Sequence, residues 1–227
     1  MAKTTVICDS GALISLTSVC LPDVLYFFKD KFKFEFIIPP GVEEETVGYP
    51  LGKRIKKYMY SAIRIKEAIN DGIVTVMKTD AIDKNRDKML ELANNMFYAR
   101  GEHIKLLDLG ETEMIALAKD LGVENVVLDE RTTRMLIESP FRLKDHMEEE
   151  FGVNIMVNRN NFNEFSKYVG GLNPFRSSEL VMLAYENGYF KRFGDLERDA
   201  LEASLYSIRF AGCSIRFDEI ARYLKGK

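Results

Sequence analysis

Short apolar runs that stop at a carboxylate or a proline recur along the chain, each followed by a stretch with helical spacing. Val6, Ile7 and Cys8 run into Asp9-Ser10-Gly11, and residues 12–16 then read as the start of a helix. A strand ending in Asp-Ser-Gly before a helix is how an α/β sheet presents a carboxylate at its C-terminal edge, where such sheets bind ligands. Residues 34–38 form a second strand candidate, closed by Pro39-Pro40. Two prolines cannot continue a central strand, but the second can occupy the first turn of a helix, here beginning near Gly41.

Between 51 and 70, Ile55, Met59, Ala62, Ile63 and Ile69 fall at three-to-four spacing and predict a helix. A brief strand at 73–77 and a polar helix at about 82–98 follow. Asp108-Leu109-Gly110-Glu111 opens the clearest helix of the chain, 111–121, which ends at Gly122 as helices commonly do. Residues 125–129 make a buried-type strand that again terminates in a carboxylate, Asp129. A helix through 131–150 and a strand at 153–157 complete a β-α alternation. Beyond Asn158 the pattern turns to helices, at 178–189, 196–211 and 217–224. The polar stretch 158–163 therefore predicts a boundary. On this reading residues 1–158 form an α/β domain with a basic helical insertion at about 51–105, and 159–227 form a C-terminal helical extension packing on it.

The 227 residues are long for one minimal domain and short for two. A composition of 46% hydrophobic and 30% charged residues excludes a disordered or fibrous chain, and no run approaches the ~18 apolar residues of a membrane helix. Cys8, Cys20 and Cys213 are odd in number and lack CxxC pairing, so reduced thiols are expected rather than a disulfide framework or a zinc site. Without the long apolar segment of a signal peptide, the expected compartment is the cytoplasm. Lys and Arg number 32 against 35 Asp and Glu, a net charge of -3, which excludes a uniformly basic nucleic-acid binder.

Helical geometry of about 100° per residue discriminates between neighbouring acids. In 111–121 the apolar stripe is Met114, Leu117, Ala118 and Leu121; Glu111 falls near its inner side and Glu113 well off it. In the helix after Pro40, with Val42 inward, Glu45 shares its face and Glu44 is almost opposite. Taken singly, Asp9 or Asp129 is commonly an N-cap, Glu111 answers the helix dipole, and 43–45 is a solvated face. Asp9, Glu45, Glu111 and Asp129 recur, however, in the same relation to strand ends and inward faces, which argues for a shared site. Like charges that converge need a compensating cation, and all-carboxylate donors suit Mg²⁺ or Mn²⁺ rather than zinc. His103 and His146, the only histidines, sit in no triad-like context.

The blocks 6–14 (VICDSGALI), 38–45 (IPPGVEEE), 109–118 (LGETEMIALA) and 127–131 (VLDER) resemble, in order, the acidic motifs of PIN-domain nucleases. The closest likeness is to the prokaryotic subgroup with a GEAEAIALA-type helix and an LDER strand end. The resemblance implies a three-layer α/β/α fold with a central parallel sheet, and a metal-dependent ribonuclease. Asp9 matches the family's first aspartate, Glu45 the glutamate of its second motif and Asp129 the fourth. Glu111 stands where an aspartate is usual, and Ser10 matches the small hydroxyl residue that follows the first aspartate. In this reading Asp9 and Asp129 are the principal metal ligands, Glu111 completes the cage, and Glu45 orients the water or a second ion. The 51–105 stretch and the tail after Asn158 are longer than in compact members.

A carboxylate cage repels a polyanion, so phosphates must be attracted from elsewhere. Lys53, Arg54, Lys56, Lys57, Arg64 and Lys66 form a run with no acid before Glu67, on a predicted helix carrying Tyr58 and Tyr60. This helix is expected to be an RNA-contacting wall with the tyrosines as stacking platforms, the alternative being a solvated face over core aromatics. Arg131 and Arg134, just after Asp129, are placed to touch the scissile phosphate. The resemblance brings RNA as substrate, a small antitoxin protein and a second copy of the chain as expected partners, and no membrane. The competing reading is a catalytically weak PIN-fold RNA-binding protein. A receiver domain is disfavoured because the first strand end lacks paired acids, and a haloacid-dehalogenase phosphatase because Gly11 stands where it needs an aspartate.

Overall fold

The computed structural model describes residues 3–19 and 21–226. From the N-terminus, β1 (Thr5–Cys8) leads into α1 (Ser10–Ser18), α2 (Asp23–Phe32) and β2 (Glu35–Ile38). Pro40 starts α3 (Pro40–Glu43), which runs through a π-helical turn at Glu44–Gly48 into α4 (Tyr49–Gly52); α5 (Lys56–Asn70) and β3 (Val74–Val76) follow. Next come α6 (Ile82–Asn94), β4 (Phe97–Ala99), β5 (Glu102–His103), α7 (Leu109–Leu121) and β6 (Asn125–Val127). Then α8 (Arg131–Glu138), α9 (Pro140–Phe151), β7 (Met156–Val157), α10 (Arg159–Val169) and β8 (Asn173–Phe175) lead to α11 (Ser177–Glu186). A 3-10 segment at Tyr189–Leu196, α12 (Glu197–Ala211) and α13 (Phe217–Lys225) close the described chain.

Five strands pair in parallel in the order β3-β2-β1-β6-β8. Alternation splits their side chains between two cores. Val6, Cys8, Phe36, Ile38, Val74 and Val127 face one, with Leu13, Phe28 and Ile65 from helices of that side. Ile7, Ile37, Val126 and Leu128 face the other, with Met89, Leu117, Leu143 and Phe165. Both faces of the sheet are covered, which is why its strands read as apolar runs without alternation. The result is the expected three-layer α/β/α arrangement. From β1 the chain steps outward to β2 and β3, then returns on the other side of β1 as β6 and β8. The β1/β6 junction is therefore the point where strand order reverses, and ligands of open α/β sheets bind outside the strand ends there.

Several elements depart from the sequence reading. The strand expected at 153–157 shortens to β7 and pairs antiparallel with β4 in a separate three-stranded sheet, β5-β4-β7. The fifth central strand is instead β8, Asn173-Pro174-Phe175, which carries no apolar run; its proline is tolerated because β8 lies at the sheet edge. The sheet thus crosses the boundary expected at 158. So does the first core, to which α11, α12 and α13 contribute Leu180, Leu201, Leu205, Ile208 and Ile220. The 51–105 stretch also holds β3, an integral strand. Pro140 divides the helix expected over 131–150 into α8 and α9. Cys8 and Cys213 are buried free thiols, whereas Cys20 lies outside the described residues. Among the described residues no single helix is long and apolar enough to cross a membrane.

Candidate active site

Asp9 and Asp129 follow directly on the C-terminal ends of the two strands that flank the reversal point, and the Asp9 amide donates to the Val127 carbonyl at 3.0 Å. Asp9 is 4% exposed and caps α1, accepting the Gly11 amide at 3.2 Å; the Ser10 hydroxyl donates to its other oxygen at 3.5 Å. The N-cap role and membership of the cluster coexist in this one side chain. A Cβ on Gly11 would lie 3.1 Å from an Asp9 carboxylate oxygen and 3.8 Å from the Asp129 Cβ, so the glycine sits between the two acids. Asp129, 2% exposed, accepts the Ser177 amide at 2.8 Å and the Ser177 hydroxyl at 2.7 Å.

Glu111 opens α7 in a reciprocal cap with Asp108. Its amide donates to the Asp108 carboxylate at 3.1 Å, while its own Oε2 accepts the Asp108 amide at 2.8 Å. Its Oε1 accepts the Thr133 hydroxyl. Glu45 lies in the π turn, where the wider repeat invalidates the 100° count. Val42 is fully buried and Glu45 exposed, contrary to the expectation that they share a face. The carboxylate of Glu45 nonetheless hydrogen-bonds the Ser10 hydroxyl and stands next to Gly110.

The electrostatics tie these groups together. Asp9 is pushed up to about 8, first by burial, then by the charges of Glu111 and Glu45, against the opposing amide bonds of Gly11 and Ser10. Glu111 is pushed up to about 7 by burial, with the charges of Asp108 and Glu130 adding and the Thr133 and Asp108 bonds opposing. Partial desolvation, with the Asp108 charge adding, raises Glu45, and its bond from Ser10 opposes. A thiol behind them, Cys8, is driven far upward by burial and by Asp9 and Asp129. Burial, reinforced by neighbouring charges, makes Asp9, Glu111 and Glu45 reluctant to ionise.

The sequence reading missed two further acids. Asp108 belongs to the cluster through its effect on Glu45 and Glu111; its signal is the D-x-x-E capping pattern it forms with Glu111. Glu113, expected off the inward stripe, is 6% exposed and accepts the Gly41 amide at 2.8 Å. Residues 112–118 are all buried because α3, α6 and α10 enclose α7, so the helix has no outward face there. The unbroken apolar run 114–118 is the sequence sign of such a helix.

A family model described as a PIN domain matches residues 5–139. The chain belongs to the PIN-domain family. PIN domains are in general nucleases that use divalent metals, which places this one among hydrolases of nucleic acids. The matched region of the PIN domain holds Asp9, Glu45, Glu111 and Asp129 and stops short of β8 and Ser177. No significant match was found among curated proteins or among solved structures.

The four carboxylates offer only oxygen donors, the chemistry a hard divalent cation takes. Among the described residues no three such side chains stand in a ready-made ligating arrangement, each being engaged by protein donors instead. In this PIN domain α5 packs on α1 and on the π turn of Glu45. Lys53, Arg54, Lys56, Lys57 and Lys66 are exposed. Arg64 departs from the expected free basic face: its guanidinium is paired with Glu67 at 2.6 Å and with Asp23 of α2 at 3.6 Å, a partner distant in sequence. Tyr60 is exposed, whereas Tyr58 is half-buried under the Lys57 ammonium. Arg131 is exposed, and Arg134 pairs with Glu138 at 3.3 Å.

Proposed function

We propose that this PIN domain is a Mg²⁺- or Mn²⁺-dependent endoribonuclease whose metal ligands and catalytic carboxylates are Asp9, Glu45, Glu111 and Asp129. One observation carries the reading: at the strand-reversal point of a PIN-domain sheet, Asp9 and Asp129 end adjacent strands with Glu111 and Glu45 beside them, and burial, with neighbouring charges adding, makes ionisation of Asp9, Glu111 and Glu45 costly unless a divalent cation offsets it. Asp9 and Asp129 would hold the ion, Glu111 would complete its shell, and Glu45 would orient the water or a second ion. When bound, such an ion lowers the pKa of water and stabilises charge on phosphate oxygens.

The chain supplies the rest. Ser177 and the Gly11 amide fix Asp129 and Asp9, Thr133 and Asp108 fix Glu111, and the Ser10 hydroxyl stands between Asp9 and Glu45. Ser10, Arg131 and Arg134 are assigned to the RNA phosphates at and beside the carboxylates, and Lys53, Arg54, Lys56, Lys57 and Lys66 to attraction of the RNA backbone. No side-chain nucleophile is needed. The reading includes a cytoplasmic toxin held in check by a small antitoxin protein, with self-association into a homodimer.

The test is divalent-dependent cleavage of a mixed RNA pool, with single-stranded DNA as comparison, by wild type, Asp9→Asn and Asp129→Asn. Equal activity in all three would sink the assignment. The second reading is a PIN-fold RNA-binding protein with little turnover. RNA binding without cleavage in either metal would establish it. Co-expression with a small protein encoded beside it, followed by co-purification and loss of cleavage, tests the toxin branch.

A further inference from the structure

Beside Asp129 lies a cavity of about 180 Å³ whose lining includes Arg131, Arg134, Arg176, Ser214, Arg216 and Glu219. Four of the lining residues are arginines and one is an acid. The one acid is already engaged: Glu219 pairs with Arg176 at 2.8 Å, and its Oε2 accepts the Arg216 amide at 2.9 Å. Arg176 is 8% exposed and held rigid between Glu179, at 2.7 Å, and Glu219. Arg131 forms no ion pair or side-chain hydrogen bond among the described residues. Arg134 pairs with Glu138 at 3.3 Å and Arg216 with Asp218 at 3.0 Å, acids outside the lining, so among the described residues Arg131 is the lining arginine whose charge no acid neutralises.

Two of the lining residues also carry buried polar atoms with no partner, the Nε of Arg134 and the hydroxyl of Ser214. Buried donors are almost always paired, so two orphans on the walls of one arginine-lined cavity, with the uncompensated Arg131 beside them, mark a place where an anion is received. The cavity is tied to the acidic cluster through the backbone. Ser214 donates its amide to the Asp129 carbonyl at 3.1 Å, Arg176 precedes the serine that holds the Asp129 carboxylate, and Arg131 follows Asp129 by two residues.

At ~30 Å³ per water the space holds about six waters, enough for a phosphate group and below the ~300 Å³ of a site that swallows a whole nucleoside-sized ligand. We propose that this is a phosphate-binding pocket, which holds a phosphate of the nucleic acid next to the one positioned at the carboxylates. The anion site stands on the cavity alone; its assignment to nucleic acid rests on the nuclease reading above. That phosphate is either a terminal monoester or an internal diester, and both would enter as a group flanked by guanidinium donors while sugar and base stay outside.

The test begins with calorimetric titration of the full-length protein with inorganic phosphate in EDTA, comparing wild type, Arg131→Gln, the Arg131→Gln/Arg134→Gln double variant, Ser214→Ala and, as a surface control, Lys84→Gln. Thermal melting confirms that each variant is folded. The pocket requires saturable binding in wild type and Lys84→Gln, weakened at least about tenfold in the double variant and measurably in Ser214→Ala. Absence of saturable binding in wild type, or equal binding in the double variant, overturns it. Oligoribonucleotides with a 5′-phosphate, a 3′-phosphate or neither are then compared on Asp9→Asn protein. Preference for one end identifies a terminal phosphate, and equal binding an internal one. Phosphate binding that persists while RNA is neither bound nor cut overturns the nucleic-acid assignment together with the nuclease reading. Cleavage that survives without phosphate binding overturns the pocket alone.

Discussion

Ser177 donates both its amide and its hydroxyl to the two carboxylate oxygens of Asp129, from 48 residues further along the chain. The first residue of α11 thereby fixes the acid at the end of β6, and the tail beyond 158 becomes part of the candidate site. Ser177→Ala keeps the amide bond and loses the hydroxyl. The expected outcome is a loss of about 1–3 kcal/mol in urea unfolding and roughly tenfold weaker Mn²⁺ binding. A variant identical to wild type in both measurements would make the bond incidental.

Asp9→Asn and Asp129→Asn are close in shape to the parent residues and replace an ionisable oxygen donor with a neutral amide. Divalent-dependent RNA cleavage should fall by at least about 100-fold in either, with the circular dichroism spectrum unchanged. Residual activity near the wild-type rate would remove that residue from the site.

The raised Asp9 and Glu111 carboxyls set the pH dependence of stability in EDTA. A carboxyl that holds its proton up to about 8 when folded, but only to ~3.9 when unfolded, leaves the folded state with more bound protons between those values. Stability should therefore fall as pH rises through this window, by up to a few kcal/mol. Glu111 contributes the same sign between ~4.3 and about 7. Melting temperatures from pH 5 to 8 should decline in wild type and decline less in Asp9→Asn. Mn²⁺ should stabilise the protein more at pH 8 than at pH 5. A wild-type profile no steeper than that of Asp9→Asn would contradict the assignment.

Gly41 cannot carry a side chain beside Glu113 as it stands. A Cβ there would come within 1.9 Å of the Glu113 carboxylate that accepts the Gly41 amide. Gly41→Ala is expected to cost about 1–3 kcal/mol by displacing a buried carboxylate from its donor. Combined with Glu113→Ala, the alanine should cost less than it does alone, which a double-mutant cycle measures. Additive losses would show that the two positions do not meet.

On and just before the basic helix α5, Lys53, Lys56, Lys57 and Lys66 are exposed while Arg64 is tied to Asp23 and Glu67. Replacing the four lysines with glutamine should weaken RNA binding and flatten its dependence on log salt by about 0.7 per lost phosphate contact. Arg64→Gln should leave that slope nearly unchanged and lower stability instead. The reverse pattern would place the contact surface elsewhere.

The local signals were legible in the residues themselves: apolar runs ending at Asp9 and Asp129, Pro40 starting α3, and a D-x-x-E cap with Gly122 at the two ends of α7. These follow from near-neighbour chemistry and from motif spacing, and they sufficed for the layered parallel fold and the PIN resemblance. Local periodicity misjudged the rest wherever long-range packing decided. The π turn moved Glu45 off the face of Val42, and complete enclosure of α7 buried Glu113. A three-residue strand with a proline, β8, has too little pattern to be seen, yet pairing with β6 makes it the sheet edge and delivers Ser177 to Asp129. The arginine-lined cavity is assembled from segments around 131, 176 and 216. Sequence determined which residues could ionise, pack or turn; only the tertiary fold decided which of them meet, because burial and charge coupling depend on distance in space and not along the chain.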